Sequence, residues 1–289
     1  MNSILITGVS AGIGQAVAQR FLQLGWHVFG SVRHLKDASI FSDKYPSQFT
    51  PLVFDLTDQA AIEAAKTIVT DKLQNTPLTV LINNAGVAVA GPLLHLPISE
   101  FVTQQDINVV GLLRVTQTFA PLLKGDTKAG IKPGRIINIS SLSGLISRPF
   151  MGAYSASKHA VEAISDSLRR ELMIYGIDVI TIEPGTIKTL IWTKAKSEKP
   201  RFQDTDYAPM FKNLNNQLER MEAEAIAVEK VVKVIEKAIL TSKPKTRYLI
   251  AARQWFIWFV ITFLSDRAID NLFYKRIKAL AENKTVDYK

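Results

Sequence analysis

The sequence predicts an α/β fold, with one large domain over residues 1–250 and a helical extension over 251–289. Short apolar runs of buried-strand type recur along the chain, most of them closed by glycine, proline, asparagine, aspartate or serine, and helical periods lie between them. With 289 residues, 47% of them hydrophobic and 21% charged, the chain can bury a large core.

The first run, Ser3 to Thr7, leads into Gly8, Val9, Ser10, Ala11, Gly12, Ile13 and Gly14, and a helical pattern follows through Val17, Phe21 and Leu24. Strand, glycine loop and helix together make a phosphate-binding arrangement. Glycines let backbone approach a pyrophosphate closely, and the helix N-terminus offers unpaired N–H groups and the positive end of its dipole. A second strand, Trp26 to Val32, ends at Arg33, where a dinucleotide-binding fold discriminates its ribose. A carboxylate there favours a free 2′-hydroxyl, whereas a guanidinium matches a 2′-phosphate by charge and by its fork of donors. Arg33 therefore points to NADP(H) rather than NAD(H), with Asp37 close by in the sequence.

Phe49 to Phe54 is a third strand, ending in Asp55, Leu56, Thr57 and Asp58. Asp55 could meet an adenine edge or cap the helix that begins near Asp58, and capping alone would explain Asp58. A fourth strand, Leu78 to Ile82, runs into Asn83, Asn84, Ala85 and Gly86, where two amides can tie neighbouring loops together. The helix from about Ser99 to Leu123 carries Asn108 in its middle. Asparagine is a mediocre helix former, so a buried Asn108 needs a hydrogen bond to backbone or to a water serving the site. Arg135 to Ile139 is the fifth strand and is left by Ser140, Ser141, Leu142, Ser143 and Gly144.

Tyr154 and Lys158 stand at i and i+4 near the start of a helix, on one face. A free phenol has a pKa of about 10, and an ammonium nearby favours its ionised form, so the pair can work as an acid/base device. Ser141 lies 13 residues before Tyr154, close enough for a loop to bring both hydroxyls to one substrate oxygen. Val179 to Glu183 is the sixth strand, stopped by Pro184 and Gly185, after which Thr186, Ile187 and Thr189 cross the carboxyl edge of the sheet. Residues 186–225 are largely polar and read as a substrate lid.

Composition narrows the function classes. The chain has no cysteine, which excludes disulfides, thiolate chemistry and Cys-ligated zinc, and the four histidines lack metal-ligand spacing. A net charge of +9 suits an anionic ligand, but the basic residues are dispersed and no nucleic-acid-binding motif is visible. The apolar run that starts at Ile4 ends in the glycine loop, which leaves no room for a signal peptide and points to the cytoplasm.

Taken together, Thr7 to Gly14, Asn83 to Gly86, Asn108, Ser141, Tyr154 with Lys158, and Pro184 with Gly185 resemble the short-chain dehydrogenase/reductase family in order and spacing, over roughly residues 3–190. The resemblance implies a Rossmann-like, doubly wound, seven-stranded parallel sheet flanked by helices. It implies Tyr154 as proton donor or acceptor, Ser141 as holder of the substrate oxygen, Lys158 as partner of Tyr154 and of the nicotinamide ribose, and Asn108 as holder of a relay water. Carried over by position, the cofactor would lie against Thr7, Gly8, Ser10, Gly12, Ile13 and Gly14, then Arg33, Asp55 and Leu56, and then Asn84, Ala85 and Gly86. Tyr154, Lys158, Pro184, Gly185, Ile187 and Thr189 would complete that surface. It further implies no metal, a homodimer or homotetramer, and, more loosely, a bulky steroid-, retinoid- or lipid-like ketone or alcohol as substrate. A 3-oxoacyl reductase and a membrane-associated nucleotide-binding protein with little turnover are the alternatives.

The tail is distinctive. Trp255 to Leu264 is apolar except for Thr262, and Ile269, Leu272, Phe273, Ile277 and Leu280 follow at helical spacing. The run is too short to cross a bilayer, which takes about 20 apolar residues. Packing on the lid, an oligomer contact and peripheral membrane contact through 253–280 remain open, the last with Arg253, Arg267, Lys275, Arg276 and Lys278 towards headgroups.

Overall fold

The computed structural model describes residues 2–126, 128–187, 201–212, 225–252 and 254–281. Thr189, Arg253 and most of the 186–225 lid lie outside them. Seven strands form one parallel sheet: β1 (Ser3–Ile6), β2 (His27–Val32), β3 (Phe49–Val53), β4 (Val80–Asn83), β5 (Arg135–Ile139), β6 (Asp178–Pro184) and β7 (Arg247–Ile250), in the order β3-β2-β1-β4-β5-β6-β7. The order reverses between β1 and β4, and the crevice outside the carboxyl ends of those strands is where such sheets bind ligands.

The strands read as continuous apolar runs because both faces of the sheet are covered. Ile4, Ile6, Val28, Ile82, Ile137 and Ile182 point to one side, where they meet Val17 and Phe21 of helix α1 (Gly12–Gln23). On the other side, Leu5, Phe29, Leu52, Leu81, Ile136 and Val179 meet α2 (Gln59–Leu73) and the long helix that carries Asn108. Asp58 caps α2 by accepting from the Ala61 N–H at 3.0 Å, so the cap falls to Asp58 and not to Asp55.

The Asn108 helix is not uniform. It runs as α3 (Ile98–Gln105), widens to a π-type turn over Asp106–Val110, where the Gly111 N–H reaches back to the Asp106 carbonyl, and resumes as α4 (Gly111–Phe119) with a tight last turn over Ala120–Leu123. Helix α5 (Gly152–Glu171) carries Tyr154 and Lys158. Beyond β6 come α6 (Ala208–Lys212), α7 (Val228–Leu240), α8 (Gln254–Phe263) and α9 (Asp266–Ala281).

The sequence reading located neither β7 nor α7. Four residues beginning with arginine are too short and too polar to stand out as a strand. Helix α7 did have a signal: Val231, Val232, Ile235, Ala238 and Ile239 recur at helical spacing and complete the α1 side of the core. A further buried cluster joins β7 to the centre, since Arg247 reaches Glu162 of α5 at 3.1 Å, Glu183 of β6 at 3.3 Å and Asp166 at 2.9 Å.

Candidate active site

The glycine loop is fixed from both sides. Gly8 donates its N–H to Ser31 Oγ of β2 at 3.0 Å, and Asn84 Nδ2 donates to the carbonyls of Thr7 at 2.8 Å and Gly8 at 3.1 Å. Thr7 Oγ1 in turn accepts from the Asn84 and Ala85 N–H groups at 2.9 and 3.0 Å. This is the tie between neighbouring loops expected of Asn84. Asn83 faces inward instead, donating to Thr116 and to Asn138, both at 2.9 Å.

The glycines of the loop cannot be replaced freely. Gly8 has a φ of +73°, and a Cβ on Gly14 would fall 2.3 Å from the Gly8 carbonyl oxygen and 2.4 Å from Asn84 Nδ2. The start of α1 has no side-chain cap, so its first N–H groups face the loop. Arg33 is exposed past the end of β2, close to Asp55 at the end of β3. Partial burial raises the Asp55 carboxyl, but two hydrogen bonds from Thr57 and the charge of Arg33 together hold it below the usual carboxylate range. The glycine cradle, the uncapped helix end and the lone guanidinium past β2 fit an adenine dinucleotide with a 2′-phosphate.

Ser141, Tyr154, Lys158 and Asn108 meet at the carboxyl edge of β4, β5 and β6. Ser141 leaves β5, where its hydroxyl accepts from the Ser143 N–H at 3.1 Å and donates to the Pro184 carbonyl at 3.4 Å. Lys158 is buried and donates from Nζ to the Ile139 carbonyl at 2.8 Å, with Nζ 5.7 Å from the Tyr154 ring centroid. Burial pushes its pKa down to about 8, partly countered by the Glu162 carboxylate. The Tyr154 hydroxyl moves the other way. Burial raises it, and the bond to Ser141 and the charge of Arg148 offset that only in part. The net direction is upward because burial outweighs these two groups.

Asn108 finds its partners in protein. Its Oδ1 accepts from the Val87 N–H at 2.8 Å, and its Nδ2 donates to the Val87 carbonyl at 2.9 Å and to Ser157 Oγ at 3.0 Å. The bonds to Val87 are the backbone partners that a buried asparagine in mid-helix needs. Gly86 leaves it room, because a Cβ there would lie 3.0 Å from Asn108 Oδ1. Pro184 and Gly185 cap the edge of β6, where Gly185 bonds Ile250 of β7 at 2.9 Å; Ile187 is buried just beyond. Leu56 is buried at the end of β3, against Gly111.

The sequence reading missed an aromatic wall beside Tyr154. Phe150 stacks edge-on with Tyr207 and with Phe211 of α6, at 5.7 and 5.1 Å between centroids. Phe202 meets Phe211 at 5.4 Å, and His95 meets Tyr207 at 5.8 Å. Phe150 and Phe202 both hold positive φ, at 66° and 64°, a conformation that L side chains rarely adopt. A bidentate ion pair from Arg201 to Glu100, at 2.7 and 2.8 Å, anchors the segment. The only sequence signal was the density of Phe and Tyr in an otherwise polar stretch.

A family model described as short chain dehydrogenase matches residues 2–200. The chain is 44% identical to an NADPH-dependent 3-dehydrocapnine reductase of Ornithobacterium rhinotracheale, covering 98% of this chain and 99% of that one. It is 29% identical to retinol dehydrogenase 16 of Rattus norvegicus, covering 94% and 87%. A short chain dehydrogenase from Burkholderia cenocepacia, solved in complex with NADP, superposes with a TM-score of 0.72 at 23% identity, over 94% of this chain and 97% of that one.

Proposed function

The chain belongs to the short-chain dehydrogenase/reductase family of oxidoreductases, and from that premise we propose that it is an NADP(H)-dependent reductase of a bulky, apolar ketone or aldehyde, running in reverse as an alcohol dehydrogenase. The observation that carries this reading is the convergence of Ser141, Tyr154 and Lys158 beside the glycine cradle. Thr7, Gly8, Ser10, Gly12, Ile13 and Gly14 would hold the pyrophosphate. Arg33 would take the 2′-phosphate, Asp55 and Leu56 would flank the adenine, and Asn84, Ala85 and Gly86 would line the middle of the cofactor. Pro184, Gly185, Ile187 and Thr189 would face its nicotinamide end. When bound, the reduced nicotinamide supplies the hydride.

The rest of the chemistry belongs to side chains. Tyr154 gives its phenolic proton to the substrate oxygen as negative charge develops there, and Ser141 donates a hydrogen bond to the same oxygen. A phenol raised by burial stays protonated at neutral pH, the form that reduction requires. Lys158, fixed by the Ile139 carbonyl, stabilises the phenolate left behind and binds the nicotinamide ribose. Asn108 positions this face of α5 through Ser157 and holds the 87 backbone in place. The aromatic wall supports an apolar substrate, as do the relatives named for 3-dehydrocapnine and retinol. A homodimer or homotetramer is the assembly expected for the reading.

Titration of the protein with NADPH and with NADH, followed by turnover on a panel of steroid, retinoid, aromatic and acyl-carrier ketones, tests it. NADPH is expected to bind more tightly. Arg33→Ala should weaken NADPH binding by about 10- to 100-fold, the worth of a charged hydrogen-bonding group, and leave NADH nearly unchanged. Equal loss for both cofactors would remove Arg33 from the 2′-phosphate. Turnover confined to acyl-carrier thioesters would move the assignment to 3-oxoacyl reduction, and tight binding without any turnover would leave a nucleotide-binding protein.

A further inference from the structure

Helix α8 has no part in that chemistry, and its outer face is unusual. Trp255, Phe256, Trp258, Phe259 and Phe263 are all exposed, Trp255 at 75%, while Val260 is buried and Ile257 and Ile261 are half-buried towards the protein. At 3.6 residues per turn, the exposed rings cover an arc of roughly 160°. No charged residue interrupts 254–263. Helix α8 leads through Leu264 and Ser265 into α9, which packs against α6, and Phe211 of α6 stands in the aromatic wall against Phe150. The exposed rings are thus joined through α9 and α6 to the wall beside Tyr154.

We propose that α8 docks the protein onto a lipid bilayer, lying in the plane of the interface with its aromatic arc among the headgroups and upper acyl chains. The bilayer would then supply the apolar substrate next to the aromatic wall, an extension that rests on the substrate reading above. Length and composition both favour lipid. Ten residues span about 15 Å of helix, half the hydrocarbon thickness, and among the described residues no helix is long and apolar enough to cross a membrane. The two tryptophans suit the interfacial zone, where the indole N–H stays wet while the ring is buried, and the phenylalanines add apolar area on the acyl side.

A second copy of the chain is the competing occupant. Helix-on-helix contact covers a stripe narrower than the arc found here, whereas a fluid acyl layer covers the whole arc. Charge points the same way. The chain carries +9, and within 254–281 the basic residues Arg267, Lys275, Arg276 and Lys278 outnumber the acidic Asp266 and Asp270.

Cosedimentation of the full chain with vesicles of phosphatidylcholine, alone or mixed with phosphatidylglycerol, tests the proposal without cofactor or ketone, so its outcome is independent of whether the reductase assignment holds. The wild type should sediment with vesicles, more completely with the anionic ones. Trp258→Glu combined with Phe259→Glu, both at exposed positions, should lower the partition coefficient by about tenfold or more, since each change replaces buried apolar area with a carboxylate. NADPH affinity of this variant should stay within a factor of about two, as for other surface substitutions. A wild type that stays in solution with both vesicle types overturns the proposal. Equal sedimentation of wild type and variant does so too, and a dimer that the substitutions dissociate, with no vesicle binding, would assign the face to a second copy.

Discussion

The proposed cofactor side and the proposed substrate side of the crevice are built by different means. On the cofactor side, short backbone bonds and forbidden Cβ positions set the shape: Asn84 on the Thr7 and Gly8 carbonyls, Ser31 on the Gly8 N–H, and Gly14 against the Gly8 carbonyl. On the substrate side, the wall is made of ring contacts between segments far apart in the chain, His95, Phe150, Phe202, Tyr207 and Phe211, anchored by the Arg201–Glu100 ion pair. Backbone bonds specify one shape. Ring contacts of about 5–7 Å are worth only 0.5–1.5 kcal/mol each beyond burial and tolerate re-packing, which suits a surface that must fit a particular substrate.

Tyr154→Phe should produce the largest effect and tests whether the two sides meet at this hydroxyl. Loss of the proton donor should lower kcat by about 10²- to 10⁴-fold, measured by NADPH oxidation, while the NADPH dissociation constant hardly moves. An unchanged kcat would place the chemistry elsewhere.

Glu183→Gln comes next and probes the buried cluster behind the junction. Burial, followed by repulsion from Glu162, raises the Glu183 carboxyl from 4.5 to about 7, with Arg247 countering in part. Between those two values the folded protein holds a proton that the unfolded chain has released, so stability falls as pH rises through that window. The span corresponds to at most about 3 kcal/mol. The glutamine variant should lose this slope, so its Tm should change less between about pH 5 and about pH 8 than the wild type's.

Gly14→Ala attacks the cofactor side alone. The new methyl would press on the Gly8 carbonyl and Asn84, so a stability loss of about 1–3 kcal/mol, read by urea unfolding, should accompany weakened NADPH binding. Phe211→Ala is the smallest and the mirror image: KM for an apolar ketone should rise by about tenfold while NADPH affinity stays unchanged. If Phe211→Ala disturbed NADPH binding as much as Gly14→Ala does, the distinction between the two sides would fail.

The same contrast explains what could be read from the sequence. Thr7 to Gly14, Asn83 to Gly86 and Tyr154 with Lys158 were legible because each motif is a short run of residues in the sequence, and the seven-stranded parallel sheet followed from their resemblance to a known family. Arg135 to Ile139 was bounded as found and the five other strands that were placed lie within one or two residues, whereas β7 was not placed. Partners distant in sequence were not legible. Nothing near Arg247 announces that it will reach Glu162, Asp166 and Glu183, and nothing near Phe150 announces Tyr207. The direction of the Tyr154 shift was equally out of reach, because it depends on how deeply the hydroxyl is packed and not on the spacing to Lys158.

The widened turn at Asp106–Val110 makes the long helix two rods set at independent phases. Gln104 upstream and Asn108 in the turn itself are timed to the 87–89 loop through the Val89 and Val87 backbones; downstream, Val115, Thr116 and Phe119 are timed to the sheet. Wound as an ordinary helix over the same residues, the turn would swing the downstream rod by about 100°. Val115 and Phe119 would leave the core and Thr116 would leave Asn83. The extra residue therefore acts as a vernier, letting one helix satisfy two surfaces whose spacing no regular helix matches.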